Sequence, residues 1–420
     1  MKYLLGSALF LALFFIVGCG DLGKPDNPKV DGGEVVVNFS PELMKQSLIK
    51  GGVADANTTV FGYIAYKIPY TTINEEGEEV IVSGLMVVPT GMPEVVTKQI
   101  GFSLVSDDHG TIFANDEAPG VIGEKTNAPS GSAIILTALA GFVTLQPDYI
   151  GFGDSKDHYH PYLLKKSLAS ATVDFINEAR EFAGKNDIKL NGQLFLTGYS
   201  EGGYAALATL QKIEDEYLAE IPVTLAAPMA GPYAMTGMAM KTLSRPTLTV
   251  PSFMANVGYS YVEAYDKELR SVFNEPYASR LDRLLGGDYN RTEVDKELTT
   301  QTTGVDGLFN PLFVNSFFTE ADNWFLQSLM QNDIYRWKAI TPIRLIHCIG
   351  DDIVPFAMSK LTEGNMTEVG STSVETIPVE VAITQNPATP LRYGHGECGK
   401  YAYAVAAKIF GDIRKTAFGY

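Results

Sequence analysis

The sequence predicts an α/β protein whose central sheet is mostly parallel and flanked by helices. From about residue 98, apolar runs of strand length alternate with amphipathic stretches of helical period, a pattern typical of a covered parallel sheet. The strand-like runs are 98–105, 142–150, 192–198, 222–230 and 342–350, and the helical stretches are 130–140, 163–186 and 201–220. Two further strands joined by a turn are predicted before them, at residues 59–73 and 80–90.

The alternation stops between residues 231 and 339, which are helical in pattern and rich in Met, Phe and Tyr. Normal connections span about 2–6 residues, so this interval is too long to be one. We predict a helical cap over 231–339, inserted into a sheet domain formed by 34–230 and 340–420. The alternative is an ordinary run of surface helices.

Composition limits the functional classes. The chain has 420 residues, 45% hydrophobic and 19% charged, which is typical of a globular protein. Its formal net charge is −17, and it has no dense basic cluster. Such a charge disfavours nucleic acid as a partner.

The N-terminus predicts export. Lys2 precedes an apolar run over 3–17 that is too short to span a bilayer comfortably and that ends near Cys19. This border resembles the bacterial lipobox, which predicts a signal peptide over 1–18 and a lipid-modified Cys19 that attaches the protein to a membrane surface. Residues 19–33 then form a flexible tether. An ordinary signal peptide with an incidental cysteine is the alternative.

A Gly-x-Ser-x-Gly pentad, residues 198–202, stands between a predicted strand and a predicted helix. The pentad alone is a weak signal, and a glycine-rich turn that happens to contain a serine is the alternative. Its context is typical of a nucleophile elbow, in which a strained turn exposes the serine at the N-terminus of a helix. We therefore predict that Ser200 is a nucleophile.

A serine nucleophile needs a base and an acid, which follow it on this kind of elbow in the order acid, then histidine. Only His347 and His395 follow Ser200. His347 lies inside an apolar strand and is predicted to be a core residue, whereas His395 lies in a glycine-flanked loop and is predicted to be the base. A Val-Pro step after the acidic doublet favours Asp351 as the acid, with Asp352 as the fallback.

An oxyanion hole requires two backbone N–H donors. The first is predicted to be Glu201, whose charged side chain is no obstacle if it faces solvent. The second is predicted to be Thr111, because a His109-Gly110 step before it allows a tight turn near the end of an early strand. The alternative is that His109 is a general loop residue.

Two cysteines remain beyond Cys19. In an oxidising compartment, Cys348 and Cys398 are predicted to form a disulfide, with two buried thiols as the alternative. Each lies three residues from a predicted catalytic residue, so a bond would join the loop of Asp351 to the loop of His395.

These motifs, in this order, resemble the α/β-hydrolase superfamily over about residues 55–412. A narrower resemblance is to the secreted lipase and esterase family that includes fungal lipase A and bacterial exported lipases. The segments that carry it are "VIVSGLMVVPTG", "HGT", "PDYIGFGDSKDHYHPYL", "GYSEGG", "GDDIVP" and "GHG". The resemblance implies an α/β-hydrolase fold with a helical cap, and hydrolysis of acyl esters without a metal or an organic cofactor.

The leading prediction is an exported serine hydrolase of the lipase or esterase type that cleaves carboxylic esters through an acyl-enzyme. Its partners would be a small-molecule or lipid ester and, through the anchor, the bacterial cell envelope. Gly20 rather than an aspartate follows Cys19, which favours the outer membrane or cell surface over the inner membrane. The alternatives are a serine peptidase on the same fold and an inactive surface binding lipoprotein.

Overall fold

A computed structural model of the protein describes residues 29–126, 128–384 and 392–420. Its strands form a single sheet of ten, in the spatial order β1-β2-β3-β4-β6-β5-β7-β8-β9-β10. The strands are β1 (Lys29–Val30), β2 (Gly33–Phe39), β3 (Gly62–Ile73), β4 (Glu79–Thr90), β5 (Phe102–Asp108), β6 (Val143–Pro147), β7 (Leu190–Tyr199), β8 (Leu225–Met229), β9 (Ile343–His347) and β10 (Val374–Pro378).

The sheet has an antiparallel half and a parallel half. In the described part of the chain, β1 to β4 pair antiparallel and β4 pairs antiparallel with β6, whereas the five pairs formed by β6, β5, β7, β8, β9 and β10 are parallel. Parallel strands end at the same edge, so the loops after β5, β7 and β9 meet there. The predicted α/β class with a mostly parallel sheet is confirmed.

The α-helices follow the strands in chain order. They are α1 (Pro41–Lys50), α2 (Pro119–Thr126), α3 (Gly131–Ala133), α4 (Lys165–Lys185), α5 (Glu201–Glu216), α6 (Met235–Leu243), α7 (Pro251–Ala264), α8 (Leu269–Val272), α9 (Leu281–Leu284), α10 (Arg291–Glu297), α11 (Pro311–Thr319), α12 (Trp324–Gln331), α13 (Ala357–Glu368), α14 (Val379–Ile383) and α15 (His395–Phe418). Two π-helical segments, Val95–Ile100 and Ile134–Leu139, complete the layers.

The two faces of the sheet are both buried, and β7 shows how. Leu194 and Leu196 join the apolar layer that contains α4 and α5, whereas Phe195 between them points to the layer that contains α15. On that second face, the rings of Phe195 and Phe410 stack with their centroids 4.5 Å apart. A strand that is buried on both faces carries apolar side chains on both, which explains the uninterrupted apolar run from Leu194 to Leu196.

The helices α6 to α12 all lie between β8 and β9, inside the interval 231–339. Their buried side chains do not form a separate core: Val257 and Phe313 belong to the same apolar cluster as Phe175 of α4. We keep the cap boundaries at 231 and 339 as a proposal.

Several local predictions need correction. The tether does not extend to residue 33, because Lys29–Val30 pairs with Gly33–Glu34 as a short antiparallel ladder. Residues 98–100 belong to a π-helical turn and not to β5, and β2, α1 and β10 were not predicted. The signal peptide and Cys19 lie outside the described residues. No helix in the described ranges is long and apolar enough to cross a membrane.

Candidate active site

The turn between β7 and α5 holds Ser200 in a strained conformation. Its backbone has φ 61° and ψ −118°, a region that residues with a side chain rarely adopt. The flanking glycines are sterically required, because a Cβ at Gly198 would lie 2.5 Å from the carbonyl oxygen of Asp108 and one at Gly202 would lie 1.8 Å from it. The strand, the tight turn and the helix together form the elbow that the sequence predicts.

His395 and Asp351 come together with Ser200 in one chain of hydrogen bonds. His395 Nε2 lies 2.8 Å from Ser200 Oγ, and His395 Nδ1 lies 2.6 Å from Asp351 Oδ2. Asp351 follows β9 and His395 is the first residue of α15, so two elements far apart in sequence supply these side chains. The arrangement lets the imidazole accept a proton from the serine while the carboxylate holds the other ring nitrogen.

The Asp351 carboxylate is buried yet well supported as an anion. Burial alone would raise its pKa, but hydrogen bonds from His347 and His395 outweigh burial and lower the pKa well below its usual range. The other oxygen, Oδ1, accepts from the backbone N–H groups of Ile353 and Val354 at 3.0 and 2.8 Å. Asp351 is therefore ionised at any pH at which His395 could act as a base.

The structure places the two alternative residues in supporting positions. Asp352 accepts a hydrogen bond from the backbone N–H of His395 at 2.9 Å and does not contact the imidazole. His347 is fully buried, and its Nε2 lies 2.9 Å from the carbonyl oxygen of Val354. His347 thus lies in the core, as the sequence indicates, although it also contacts Asp351 at 3.3 Å.

The environment of the Glu201 side chain differs from the solvent-facing one that the sequence prediction assumed. Its side chain does not face solvent: the residue is 1% exposed. Oε1 of Glu201 lies 2.7 Å from Nε2 of His160, a histidine to which sequence reasoning gave no role. The signal was present, because His160 belongs to the "HPYL" segment that carries the family resemblance. His160 and Glu201 are 41 residues apart in the chain, so the sequence offered no reason to expect a contact between them.

The loop after β5 runs beside the elbow. A Cβ added at Gly110 would lie 3.8 Å from Ser200 Cβ, so the backbone of this loop passes close to the predicted nucleophile. Thr111 follows, and its Oγ1 lies 2.9 Å from the hydroxyl of Tyr162. His109 is only partly exposed, and the desolvation of its imidazole lowers the pKa of that ring. Helix α5 begins at Glu201 and directs its N-terminal amides toward the same place.

A cavity of about 910 Å³, including its opening to solvent, extends from Ser200 under the helices α6 and α7. Its walls are mainly apolar, with Met235, Met238, Phe253, Met254 and Val257 among the lining side chains. An apolar cavity that reaches Ser200 has room for a hydrocarbon group next to its hydroxyl. In the described ranges, no group of three or more His, Cys, Asp or Glu side chains is arranged to hold a metal ion.

A disulfide joins Cys348 to Cys398 across 50 residues of chain. Both cysteines are fully buried, one just after β9 and the other in the first turn of α15. The bond therefore links the segment that carries Asp351 to the helix that begins with His395.

Replacing Cys348 and Cys398 together by alanine is expected to lower the free energy of unfolding by about 4 kcal/mol, because the unfolded chain regains the entropy of a 50-residue loop. Urea denaturation of the oxidised protein and of the double variant measures the difference. A difference below about 1 kcal/mol would show that the disulfide contributes little to stability beyond the packing of the residues around it.

Comparisons with known proteins give structural relatives. No family model and no curated protein matches the chain. It is similar to a provisionally assigned hydrolase from Legionella pneumophila, with 23% identity over 91% of this chain and 97% of that one and a TM-score of 0.76. It is also similar to LipA, the rice cell wall degrading esterase from Xanthomonas oryzae (23%, 91% and 96%, TM-score 0.74), and to Candida antarctica lipase A in its closed state (16%, 75% and 72%, TM-score 0.56).

These relatives confirm the resemblance at the level of fold. The chain has the α/β-hydrolase fold, with a mostly parallel sheet flanked by helices and an elbow between the central strand β7 and helix α5. Identities of 16% to 23% establish fold and not activity, so the chemistry has to be argued from the site.

Proposed function

We propose that this protein is a serine hydrolase that cleaves carboxylic esters, of the lipase or esterase type. The observation that carries the proposal is the continuous hydrogen-bonded chain from Ser200 through His395 to Asp351, built on a strained elbow. The likeness to an esterase and a lipase supports the same reaction class.

The proposed mechanism assigns one step to each group. Ser200 Oγ attacks the acyl carbon as His395 Nε2 takes its proton, and the resulting imidazolium gives that proton to the leaving alcohol. Asp351 orients the imidazole and stabilises its charged form. The backbone N–H groups of Glu201 and Thr111 bind the developing oxyanion, and water then repeats the attack on the acyl-enzyme.

A fluorophosphonate probe tests the nucleophile directly, because it phosphonylates a serine only where a base activates it. We expect one modified residue, Ser200, in peptide mass spectra of the native protein and none after heat denaturation. Modification of a different serine would reject the assigned site.

A substrate panel tests the reaction class. Nitrophenyl esters of increasing acyl length are compared with aminoacyl anilides, in the presence and absence of a lipid interface. Turnover of the esters is expected. Turnover of the anilides alone would favour the serine peptidase, and turnover of neither would favour a binding protein on a hydrolase scaffold.

The cavity supports esters with an apolar acyl chain, which a narrowing substitution can test. Met238 lines the cavity and is partly exposed, so Met238→Trp should fold and fill part of the chain's space. Each methylene in an apolar pocket contributes about 1–3 kcal/mol, so we expect the ratio of kcat/KM for octanoate to that for acetate to fall at least about tenfold. Met240→Trp, at an exposed site on the same helix, is the control. An unchanged ratio would mean that the acyl chain lies elsewhere.

We further propose that the protein is exported and attached by lipid at Cys19, most favourably to the outer membrane or cell surface. The proposal rests on the N-terminal sequence, since residues 1–28 lie outside the described part. Metabolic labelling with an alkyne fatty acid should modify the wild-type protein and not Cys19→Ala. Equal labelling of both would reject the anchor.

A further inference from the structure

The segment His160–Pro161–Tyr162 reaches from one proposed oxyanion donor to the other. We propose that it acts as an oxyanion clamp: His160 positions Glu201 and Tyr162 positions Thr111, so that one short segment sets the distance between the two backbone donors. The inference rests on the proposed function, because it concerns how that same site binds a developing negative charge. Both residues are positioning residues, since neither is assigned a contact with the reacting atoms.

The first half of the clamp is the contact between His160 and Glu201. His160 Nδ1 lies 2.9 Å from the carbonyl oxygen of Ile150, which can only accept, so Nδ1 carries a proton. Nε2 faces Oε1 of the Glu201 carboxylate at 2.7 Å, and a hydrogen bond this short needs a proton between them. The pair therefore holds one shared proton and is neutral overall, whichever atom the proton is bound to.

This neutrality matters because of where Glu201 lies. Its backbone N–H is a proposed oxyanion donor, and its buried carboxylate lies on the first residue of α5. An uncompensated carboxylate there would repel the oxyanion and oppose the field of the helix N-terminus. Among the described residues, no group hydrogen-bonds Oε2 of Glu201, so His160 is its hydrogen-bonded counter-group.

The second half of the clamp is the contact between Tyr162 and Thr111. The Tyr162 hydroxyl and Thr111 Oγ1 lie 2.9 Å apart, and Tyr162 is 5% exposed. This bond fixes the side chain of the residue whose amide is the second proposed donor. The loop that carries Thr111 lies against the elbow through Gly110, so a shift of Thr111 changes the site next to Ser200.

The clamp itself is held rigidly by the residues before it. Proline at position 161 restricts the backbone between the two contacting side chains. Gly151 has φ +91° and lets the chain approach so closely that a Cβ there would lie 2.6 Å from the Cα of His160. The ring of Phe152 packs against that of His160 at 4.8 Å between centroids. A rigid support is what a preorganised oxyanion hole requires.

Two single substitutions remove one contact each. In His160→Asn, the asparagine amide can keep the bond to the Ile150 carbonyl but cannot reach Glu201, which leaves a buried carboxylate beside the oxyanion. Tyr162→Phe removes only the hydroxyl that meets Thr111. Loss of one oxyanion donor lowers kcat by about 10²–10³-fold, so we expect roughly 100-fold for His160→Asn and roughly tenfold for the milder Tyr162→Phe.

The matched control is Tyr261→Phe. The Tyr261 hydroxyl is also buried and donates to the carbonyl oxygen of Leu163, one residue beyond the clamp, but it contacts neither proposed donor. It reports what the loss of a buried tyrosine hydrogen bond does to the same loop. The variant His160→Asn/Glu201→Gln adds a charge test: because it removes the buried carboxylate, its kcat is expected to recover by about tenfold from that of His160→Asn.

The experiment measures kcat and KM for a nitrophenyl ester, together with Ki for an acyl trifluoromethyl ketone, whose adduct with serine carries an oxyanion. If the clamp acts, Ki rises by the same factor as kcat falls, KM stays within about twofold, and Tyr261→Phe resembles the wild type. A change in KM alone, or equal effects of Tyr162→Phe and Tyr261→Phe, would overturn it. Tyr162→Phe loses a single oxygen atom, so it decides the question even if His160→Asn fails to fold. Absence of Ser200-dependent turnover in the wild type would instead reject the proposed function, and the clamp with it.

Discussion

Ser200→Ala is expected to lower kcat for ester hydrolysis by roughly 10⁴–10⁶-fold, the range that follows removal of a nucleophile acting as one unit with its base. The substitution removes the Oγ that lies 2.8 Å from His395 Nε2. Because alanine is smaller and the position is partly exposed, the fold should persist and KM should change little. Steady-state kinetics with a nitrophenyl ester and a thermal unfolding curve measure the two effects.

The control for this experiment is Ser170→Ala, a buried serine in α4 outside the cavity. It should keep turnover within about twofold of the wild type. If Ser200→Ala kept more than about 1% of the wild-type kcat, the reaction would have to occur at another site.

Asp351→Asn is expected to lower kcat by about 10⁴-fold with little change in structure. The two backbone N–H groups that bind Oδ1 require an oxygen at that position, so the new amide must place its NH₂ where Oδ2 now meets His395. An NH₂ at 2.6 Å from Nδ1 forces that nitrogen to accept, which moves the ring proton to Nε2. His395 then cannot take a proton from Ser200. The pH dependence of kcat, recorded alongside, should lose the rise that depends on a general base.

Asp352→Asn is the matched control, because it changes the adjacent aspartate in the same way. Asp352 accepts from the backbone N–H of His395 through Oδ1, and an asparagine oxygen can do the same. We expect a loss of less than about tenfold. A larger loss for Asp352→Asn than for Asp351→Asn would exchange the roles of the two residues.

The proposed catalytic residues were accessible from sequence because each carries a local signal. The pentad around Ser200, the Val-Pro step after the acidic doublet and the glycines around His395 are short patterns, and the order of the three residues restricts the choice further. One carboxylate that supports the loops of Asp351 and His395, that of Glu380, was not predicted, because no local sequence pattern marks it. Glu380 accepts from the backbone N–H groups of Ile349 and Gly350 and lies 3.4 Å from that of Tyr393, and so joins the acid loop to the base loop.

The environment of Glu201 could not be predicted for a related reason. A charged residue at the start of a helix is exposed in most proteins, and the local sequence agreed with that expectation. Its burial depends on His160, which approaches only because the loop after β6 folds across the N-terminus of α5. Whether Glu201 is a solvated charge or part of a neutral buried pair depends on desolvation and on one hydrogen bond. Neither can be predicted from the residues next to Glu201 in the sequence.

The alternation of strands and helices, the elbow, and the order of the proposed nucleophile, acid and base can all be predicted from the amino-acid sequence, because periodicity and turn chemistry act over a few neighbouring residues. Tertiary packing, in contrast, brings Asp351 rather than Asp352 to the imidazole, places Cys348 within bonding distance of Cys398, and pairs Glu201 with His160. Those outcomes depend on distances between segments 41 to 50 residues apart, which are set by how the layers pack on the sheet.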